Sequence, residues 1–228
     1  MGVRFRNTGS TGADVYVRWN IELRLFLSHF IKHQRVMKSI KFRMTGTCPL
    51  MLNNPQTVNP MNEFTKAISA LTSKRKKTDE DQNEIFHLKF LASCYWNNKG
   101  QYFLPANMIA KSFEAGAKEN KLGAKFQRSV FVFNDGILKF ADNGCTPEEL
   151  WENHSETYVD IRPVGIMKSK IVTARMIIPE WSLEGELHFD EMQLNKSEVW
   201  LAMTNAGLRY GIGTYRQCYG RYSITELK

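Results

Sequence analysis

Residues 195–224 read NKSEVWLAMTNAGLRYGIGTYRQCYGRYSI, and this stretch decides the fold class. Asn195, with Glu198 three residues later, is a capping-box signature for the start of a helix. Apolar residues then recur at helical spacing, as Val199, Ala202, Met203 and Ala206. A glycine-punctuated segment begins at Gly207, and a short strand pattern closes the stretch. We therefore predict a helix, a glycine-rich loop and a terminal strand.

The predicted loop also has the chemistry of a nucleic-acid contact. Glycine permits positive φ and lets backbone N–H groups approach an anion closely, which applies to Gly211, Gly213 and Gly220. The arginines can make forked contacts with phosphate; they are Arg209, Arg216 and Arg221. The tyrosines can stack on unpaired bases; they are Tyr210, Tyr215, Tyr219 and Tyr222. The alternative is a helix C-cap that leads into an edge strand with ordinary surface tyrosines.

The composition favours a polyanionic partner. The 228 residues carry a formal net charge of +8, and the sequence pI is about 9.3. This balance favours nucleic acid ahead of a membrane surface, although a basic protein that is merely soluble would share it. No apolar run reaches the roughly 18 residues that a membrane span needs, and the start lacks the apolar core of a secretory signal. We therefore expect a cytoplasmic protein with no membrane partner.

Neither a metal site nor a catalytic motif stands out. The four cysteines form no close-spaced pair, so we expect reduced thiols and no zinc; they are Cys48, Cys94, Cys145 and Cys218. No nucleophile motif such as GxSxG is present. Candidate catalytic aspartates are scattered over different predicted elements with no DxD spacing between them; they are Asp135, Asp142, Asp160 and Asp190. His188 and His154 are candidate general bases, but a plain surface histidine is the commoner case. We therefore expect a binding protein rather than an enzyme, with no cofactor.

The first 36 residues differ in composition from the rest. They hold six Lys or Arg and two Asp or Glu, and so contribute +4 of the +8. Residues 19–36 could form a basic amphipathic helix, whereas Met37 is followed at once by a strand pattern. We expect residues 1–36 to be an N-terminal extension, or an over-long start with Met37 as the natural one. The alternatives are a membrane-surface or partner-binding helix and a packed structural helix.

The patterns in residues 37–228 predict a single α+β domain. Strands are expected at 39–46, 84–96, 101–104, 129–133, 137–141, 157–162, 165–178, 181–189 and the C-terminus. Helices are expected at 61–72, from Pro105, from Thr146 and from Asn195, with a mobile connection at 73–84. The strict alternation of WSLEGELHF at 181–189 gives one buried and one wet face. We therefore predict an antiparallel sheet rather than a doubly wound dinucleotide fold.

Three segments resemble the RAMP superfamily of repeat-associated RNA-binding proteins. The helix followed by AGxxxGIGxxRxxxGRYxI resembles the family's glycine-rich C-terminal loop. GQYFLPANMIAKSFEAGAK, at 100–118, resembles its proline-started, small-residue helix, with Ala106-Asn107 where Gly-Ser is usual. IKFRMTGTCPLML, at 40–52, resembles its opening strand and ligand-facing loop. The resemblance implies a ferredoxin-like (RRM-like) antiparallel sheet with helices on one face and insertions.

The resemblance also implies a function. It points to single-stranded nucleic acid, RNA or ssDNA, bound along a basic face, with head-to-tail assembly as a homo-oligomer or in a multi-subunit complex. Small stand-alone proteins of this kind resemble phage and prophage proteins. Carried over by position, the contacts are Gly211, Gly213, Arg216, Gly220, Arg221 and Lys111. The alternatives are an endoribonuclease of the same family and a protein-binding or inhibitory phage factor.

Three further basic patches are candidates for nucleic-acid contact. Lys168 and Lys170 share one face of the strand expected at 165–178, while Arg175 has the other parity. Lys125 and Arg128 precede a predicted strand, and residues 74–77 form a basic run. Each of these patches is as readily explained by a solvated surface.

Overall fold

The computed structural model describes residues 37–166, 169–216 and 218–228. The predictions for residues 1–36, including a helix at 19–36, lie outside the described residues, as does the prediction for Lys168.

The elements of residues 37–228 alternate irregularly between strands and helices. The strands are β1 (Met37–Gly46), β2 (Leu50–Met51), β3 (Phe103–Leu104), β4 (Val130–Phe131), β5 (Gly136–Lys139), β6 (Val159–Ile166), β7 (Ser169–Ile178), β8 (Ser182–Asp190) and β9 (Tyr222–Glu226). The α-helices are α1 (Glu63–Thr72), α2 (Asp79–Ser93), α3 (Ala106–Lys118), α4 (Gly123–Ser129), α5 (Pro147–Tyr158) and α6 (Lys196–Asn205). A 3-10 turn, Pro55–Val58, precedes α1, and a π-helical turn, Ala206–Tyr210, follows α6.

Strand β1 runs through the middle of the larger sheet. The strand order is β3-β5-β8-β1-β9, and β4 also pairs with β8. Each of these pairings is antiparallel. Alternation sets the faces of β1, because Ile40, Phe42 and Met44 are buried while Lys41 and Arg43 are exposed. The sheet therefore has one core face and one wet face, as the sequence predicted.

The two ends of β1 mark the two ends of this sheet. At one end Gly46 pairs with Tyr222, directly after the glycine-rich loop. At the other end Met37 pairs with Asp190 and Lys38 with Phe189. Eight residues separate Lys38 from Gly46, so the two ends lie about 26 Å apart at ~3.3 Å per residue.

Helices α3 and α6 pack on the core face and against each other. Phe113 of α3 meets Phe42 of β1 edge to face, with ring centroids 5.3 Å apart. A Cβ at Gly116 would lie 2.1 Å from the Ala202 carbonyl oxygen of α6. The small residues of α3 therefore let the two helix backbones approach closely, which fixes the start of the loop after α6.

A second, smaller antiparallel sheet has the order β2-β7-β6. In the β6–β7 hairpin Asp160 pairs with Arg175, so both side chains lie on one face. Ala174 and Met176 are buried on the other face. Helix α2 lies against β7, where the Met176 N–H donates to the Ser93 hydroxyl at 2.8 Å.

The structure contradicts the strand predicted at 84–96. Residues 84–93 belong to α2, which begins at Asp79 within the supposed mobile connection. Thr78 and Asp81 form a capping box, with N–H to side-chain oxygen distances of 3.1 and 3.2 Å. Because α2 packs against β7, α1 and α5, its apolar residues point in several directions and imitate alternation.

The two strands predicted around Asn134-Asp135-Gly136 exist in part, but they do not pair with each other. Val130 of β4 pairs with Phe189, and Leu138 of β5 pairs with Leu183, so both strands add to β8. The α+β class with antiparallel sheets is confirmed. The capping box of Asn195 and Glu198 is confirmed as well.

Candidate nucleic-acid interface

The glycine-rich loop is a tightly bonded turn. Gly213 and Gly220 have φ of +83° and +72°. A Cβ at Gly220 would lie 1.8 Å from the Ile212 carbonyl oxygen, and one at Gly213 would lie 2.6 Å from the Met51 carbonyl oxygen. Only glycine fits both positions, because each combines left-handed backbone with direct backbone contact.

The amides of two predicted glycines are used inside the protein. The Gly211 N–H donates to the Ala206 carbonyl at 2.8 Å, and the Gly220 N–H donates to the Pro49 carbonyl at 2.8 Å. The Thr214 N–H donates to the Met51 carbonyl at 2.9 Å. These bonds tie the loop to the segment around β2, so Gly211 and Gly220 hold the loop in shape rather than offering free donors to an anion.

Arg221 and Tyr222 also have structural partners. The Arg221 guanidinium donates to the Leu208 carbonyl in the middle of the π-helical turn. Tyr222 is only 1% exposed, and its hydroxyl lies 2.8 Å from the Ser112 hydroxyl. Burial raises the pKa of the Tyr222 hydroxyl. The expectation that Tyr222 stacks on bases is therefore wrong, because its ring belongs to the core.

Two predicted cations have carboxylate partners on the helical layer. Arg209 pairs with Glu119 at 2.8 Å, and Lys111 pairs with Glu114 at 2.6 Å. The Lys111 ammonium holds the pKa of Glu114 below its usual range, with Lys118 adding to the effect. The local charge around Arg209 and Lys111 is therefore largely balanced.

Tyr215 and Arg216 are exposed in the loop and Tyr219 is half-buried, and the two tyrosine rings meet the β6–β7 hairpin. The Arg162 guanidinium lies 5.1 Å from the Tyr219 ring centroid and 5.8 Å from that of Tyr215. It also donates to the Tyr219 hydroxyl at 2.7 Å. Both rings are within cation–π range, so Arg162 holds the two tyrosines side by side. We call Arg162, Arg175, Tyr215, Arg216 and Tyr219 the loop–hairpin surface.

The three arginines of the loop–hairpin surface differ in their partners. Arg162 is ion-paired with Asp160, which raises the pKa of its guanidinium, and the bond to Tyr219 adds to the rise. Burial lowers the pKa of Arg175, and its Nε has no hydrogen-bond partner among the described residues. Arg216 is exposed and, within the described part of the chain, has no ion pair or hydrogen bond. Of these three arginines, Arg175 and Arg216 therefore have donors that are not used within the described part of the chain.

The other predicted contacts lie elsewhere. Lys170 is exposed but has the opposite parity to Arg175, so it lies on the other face of the hairpin. Lys125 and Arg128 are on α4, which leads into β4 at the end of the sheet away from the loop. In the basic run, Lys74 pairs with Asp81 at 2.5 Å. The structure therefore does not bring these lysines together with Arg216.

The sequence patterns did not single out Arg162. They placed Arg175 on the strand face opposite Lys168 and Lys170 but predicted no contact for it. Both arginines have the parity of the hairpin that faces away from buried Ala174 and Met176. Pairing 159–166 with 169–178 would have placed them on one face. No Asn-Gly or Gly-rich turn marks the hairpin, so this pairing had no sequence signal.

The candidate catalytic histidine is remote from the loop–hairpin surface. His188 pairs with Ser39 on the wet face, near the end of the sheet opposite Gly46. Its neighbours are the Phe133 ring at 5.1 Å and Glu186 at 3.8 Å. No group of three His, Cys, Asp or Glu suited to a metal occurs among the described residues. Within the same residues, no helix has both the length and the apolarity to cross a membrane.

Comparisons with known proteins give no family assignment. No protein-family model and no curated protein matches this sequence. Among solved structures, the crystal structure of Cmr6 from Pyrococcus furiosus overlaps 84% of this chain and 99% of that chain, with a TM-score of 0.38 and 10% sequence identity. A TM-score of 0.38 carries no argument about family or function. The resemblance to the RAMP superfamily therefore stays a prediction from the sequence.

Proposed function

We propose that this protein binds single-stranded nucleic acid, RNA or ssDNA, along the loop–hairpin surface and does not cleave it. The observation that carries the proposal is the pair of tyrosines held beside Arg162, with the unpaired Arg216 between them in sequence. The exposed ring of Tyr215 and the accessible part of the Tyr219 ring can stack on unpaired bases, and the Arg216 guanidinium can bind backbone phosphate.

The rigidity of the loop supports this proposal. Bonds from Thr214 and Gly220 to the segment around β2 fix both ends of the exposed part. Tyr215 has φ of +55°, a backbone conformation that non-glycine residues rarely adopt. A loop that already has its bound conformation loses little conformational entropy on binding. Little of the free energy from stacking on the two rings would therefore be spent on ordering the loop.

We further propose that the core is ferredoxin-like. The elements β1, α3, β5, β8, α6 and β9 follow one another in the order strand, helix, strand, strand, helix, strand. Their strands lie in the order β5-β8-β1-β9 in the sheet, which supports a ferredoxin-like core. In this proposal β2, β6, β7, α1, α2, α4 and α5 belong to insertions, and the hairpin is the insertion that meets the loop.

The RAMP resemblance adds assembly to the proposal. A homo-oligomer or a multi-subunit complex would align several loop–hairpin surfaces along one strand. Size-exclusion chromatography with light scattering, with and without a 30-nucleotide RNA, measures this. A mass that increases by whole protein copies per RNA supports assembly along the strand, and a constant one-to-one complex contradicts it.

The class of ligand is tested by fluorescence anisotropy with labelled single-stranded RNA, single-stranded DNA and duplex RNA over a salt series. We expect single strands to bind more tightly than duplex, because duplex bases cannot stack on Tyr215 and Tyr219. The logarithm of the binding constant should fall linearly with the logarithm of salt concentration. Absent binding, or equal binding of duplex and single strand, would contradict the proposal.

A further inference from the structure

A cleft with both polar and apolar walls lies next to the loop–hairpin surface. It has a volume of about 320 Å³ and is bounded by the face of the hairpin that carries Arg175, by α1, by α2 and by the segment after β2. Thr173 and Arg175 line it from β7, and Lys89 and Ser93 line it from α2. Arg175 is thus shared between the cleft and the loop–hairpin surface, and the two form one continuous surface.

The cleft holds two half-buried cations without a bound carboxylate. Burial lowers the pKa of Lys89, whose ammonium donates to the Val172 carbonyl oxygen at 2.9 Å. Burial also lowers the pKa of Arg175, and its Nε is buried with no hydrogen-bond partner in the described ranges. No Asp or Glu occurs among the described residues that line the cleft. Asp160 lies opposite Arg175 in the hairpin and favours its charged form, but its ion pair is with Arg162.

Partial burial of Lys89 and Arg175 is energetically unfavourable unless an anion binds beside them. A cation removed from water costs free energy that a carboxylate or another anion normally offsets. A buried guanidinium nitrogen without a hydrogen bond adds a further cost. Two half-buried cations that line one open cleft are therefore suited to an anion that enters from outside.

We propose that this cleft is a phosphate site, occupied by a phosphate group of the nucleic acid that the loop–hairpin surface binds. Arg175 supplies forked N–H donors, Lys89 supplies a point charge, and the hydroxyls of Thr173 and Ser69 are further donors at the wall. The inference rests on the proposed function for the source of the phosphate. The anion site itself follows from the cleft alone.

Two sources of phosphate fit this chemistry. An internal phosphodiester would reach the cleft as the strand continues beyond Tyr215. A terminal 5′-phosphate would enter as the end of a strand. Binding of a 5′-phosphorylated RNA compared with the same RNA bearing a 5′-hydroxyl distinguishes them.

The variants Lys89→Met and Arg175→Gln test the site. Each removes a charge while keeping most of the side-chain length. Lys66→Met is the matched control, since Lys66 is exposed on the adjacent α1 and does not line the cleft. The measurements are the Tm in inorganic phosphate or adenosine 5′-monophosphate against chloride of equal ionic strength, and RNA affinity by anisotropy.

For the wild type and Lys66→Met, we expect the Tm to rise with the concentration of either phosphate compound, and for both cleft variants we expect no rise. In chloride the cleft variants should be as stable as the wild type or more stable, whereas a purely structural role would lower their Tm. RNA affinity should fall at least fivefold in each. A fall confined to 5′-phosphorylated RNA assigns the terminal phosphate, and an equal fall for both RNAs assigns the phosphodiester.

The inference is overturned if both cleft variants match the wild type in phosphate response and in RNA affinity. If Arg216→Ala abolishes RNA binding while the cleft variants do not, the proposed function stands and the phosphate site fails. If the wild type binds no RNA but responds to phosphate through Lys89 and Arg175, the site stands and the proposed function fails.

Discussion

At the scale of single residues, the loop separates structural from functional groups. Gly211, Gly213 and Gly220 meet backbone atoms of neighbouring segments and have positive φ. Arg221 supports a helix end, whereas Arg216 projects without a partner in the described part of the chain. Residues that looked equivalent in the sequence therefore have different roles.

The substitution Gly220→Ala should destabilise the fold by more than about 2 kcal/mol, since it combines left-handed strain with a backbone clash. Urea denaturation measures this. Gly144→Ala is the control, because a Cβ at Gly144 meets nothing within 4 Å. An equal, small change in both variants would contradict the structural role of Gly220.

Arg216→Ala and Arg221→Ala should separate binding from stability. Loss of the bond from Arg221 to the Leu208 carbonyl should cost about 1 kcal/mol of folding free energy. Arg216→Ala should leave the free energy of unfolding within about 0.5 kcal/mol of the wild type. Paired urea titrations check both values, and a destabilised Arg216→Ala would show that this side chain has a structural partner.

The residues that the sequence could and could not assign differ for physical reasons. The capping box at Asn195 and the alternation of β1 are local signals, and both predictions were right. Whether Tyr222 is buried depends on which face of β9 meets the core. Which group Arg221 contacts depends on how the loop folds back against the π-helical turn. Neither is encoded by local spacing.

At the scale of elements, α2 shows how packing on several sides hides a helix. Its capping box at Thr78 was the readable signal, but apolar alternation between 86 and 94 outweighed it. Because residues 84–96 were predicted as a strand, the cleft was missed as well, since Lys89 lines it from a helix beside β7. The turn of the β6–β7 hairpin has no sequence signal, so the position of Arg162 beside the loop was not predicted either.

Helix α3 provides a pH-dependent test. The pKa of Glu114 is lowered by Lys111 in the folded state, so its carboxylate stabilises the fold above the unfolded pKa of about 4.3. That stabilisation is lost as the pH falls through the lower, folded pKa. Between pH 7 and pH 3, Glu114→Gln should therefore lose less stability than the wild type in urea titrations. Parallel pH profiles would contradict this ion-pair account.

At the scale of the whole molecule, charge is distributed unevenly. Residues 1–36 account for +4 of the net +8, which leaves +4 for residues 37–228. Within the domain, carboxylates pair with Arg209, Lys111 and Lys74, while Arg216 and the two cations of the cleft have none bound to them. The loop–hairpin surface and the cleft are thus one place in the domain where cations lie without a bound carboxylate from the described residues.

The most direct test of the central claim is anisotropy of labelled single-stranded RNA with wild type, Arg216→Ala and Lys38→Ala over a salt series. Lys38 is the control for the loss of one positive charge, since it lies at the far end of the sheet, where it pairs with Glu191 at 2.5 Å. We predict a roughly five- to tenfold loss of affinity for Arg216→Ala and a salt slope reduced by about 0.7, with little change for Lys38→Ala. Equal affinities and slopes for all three proteins would contradict binding at the loop–hairpin surface.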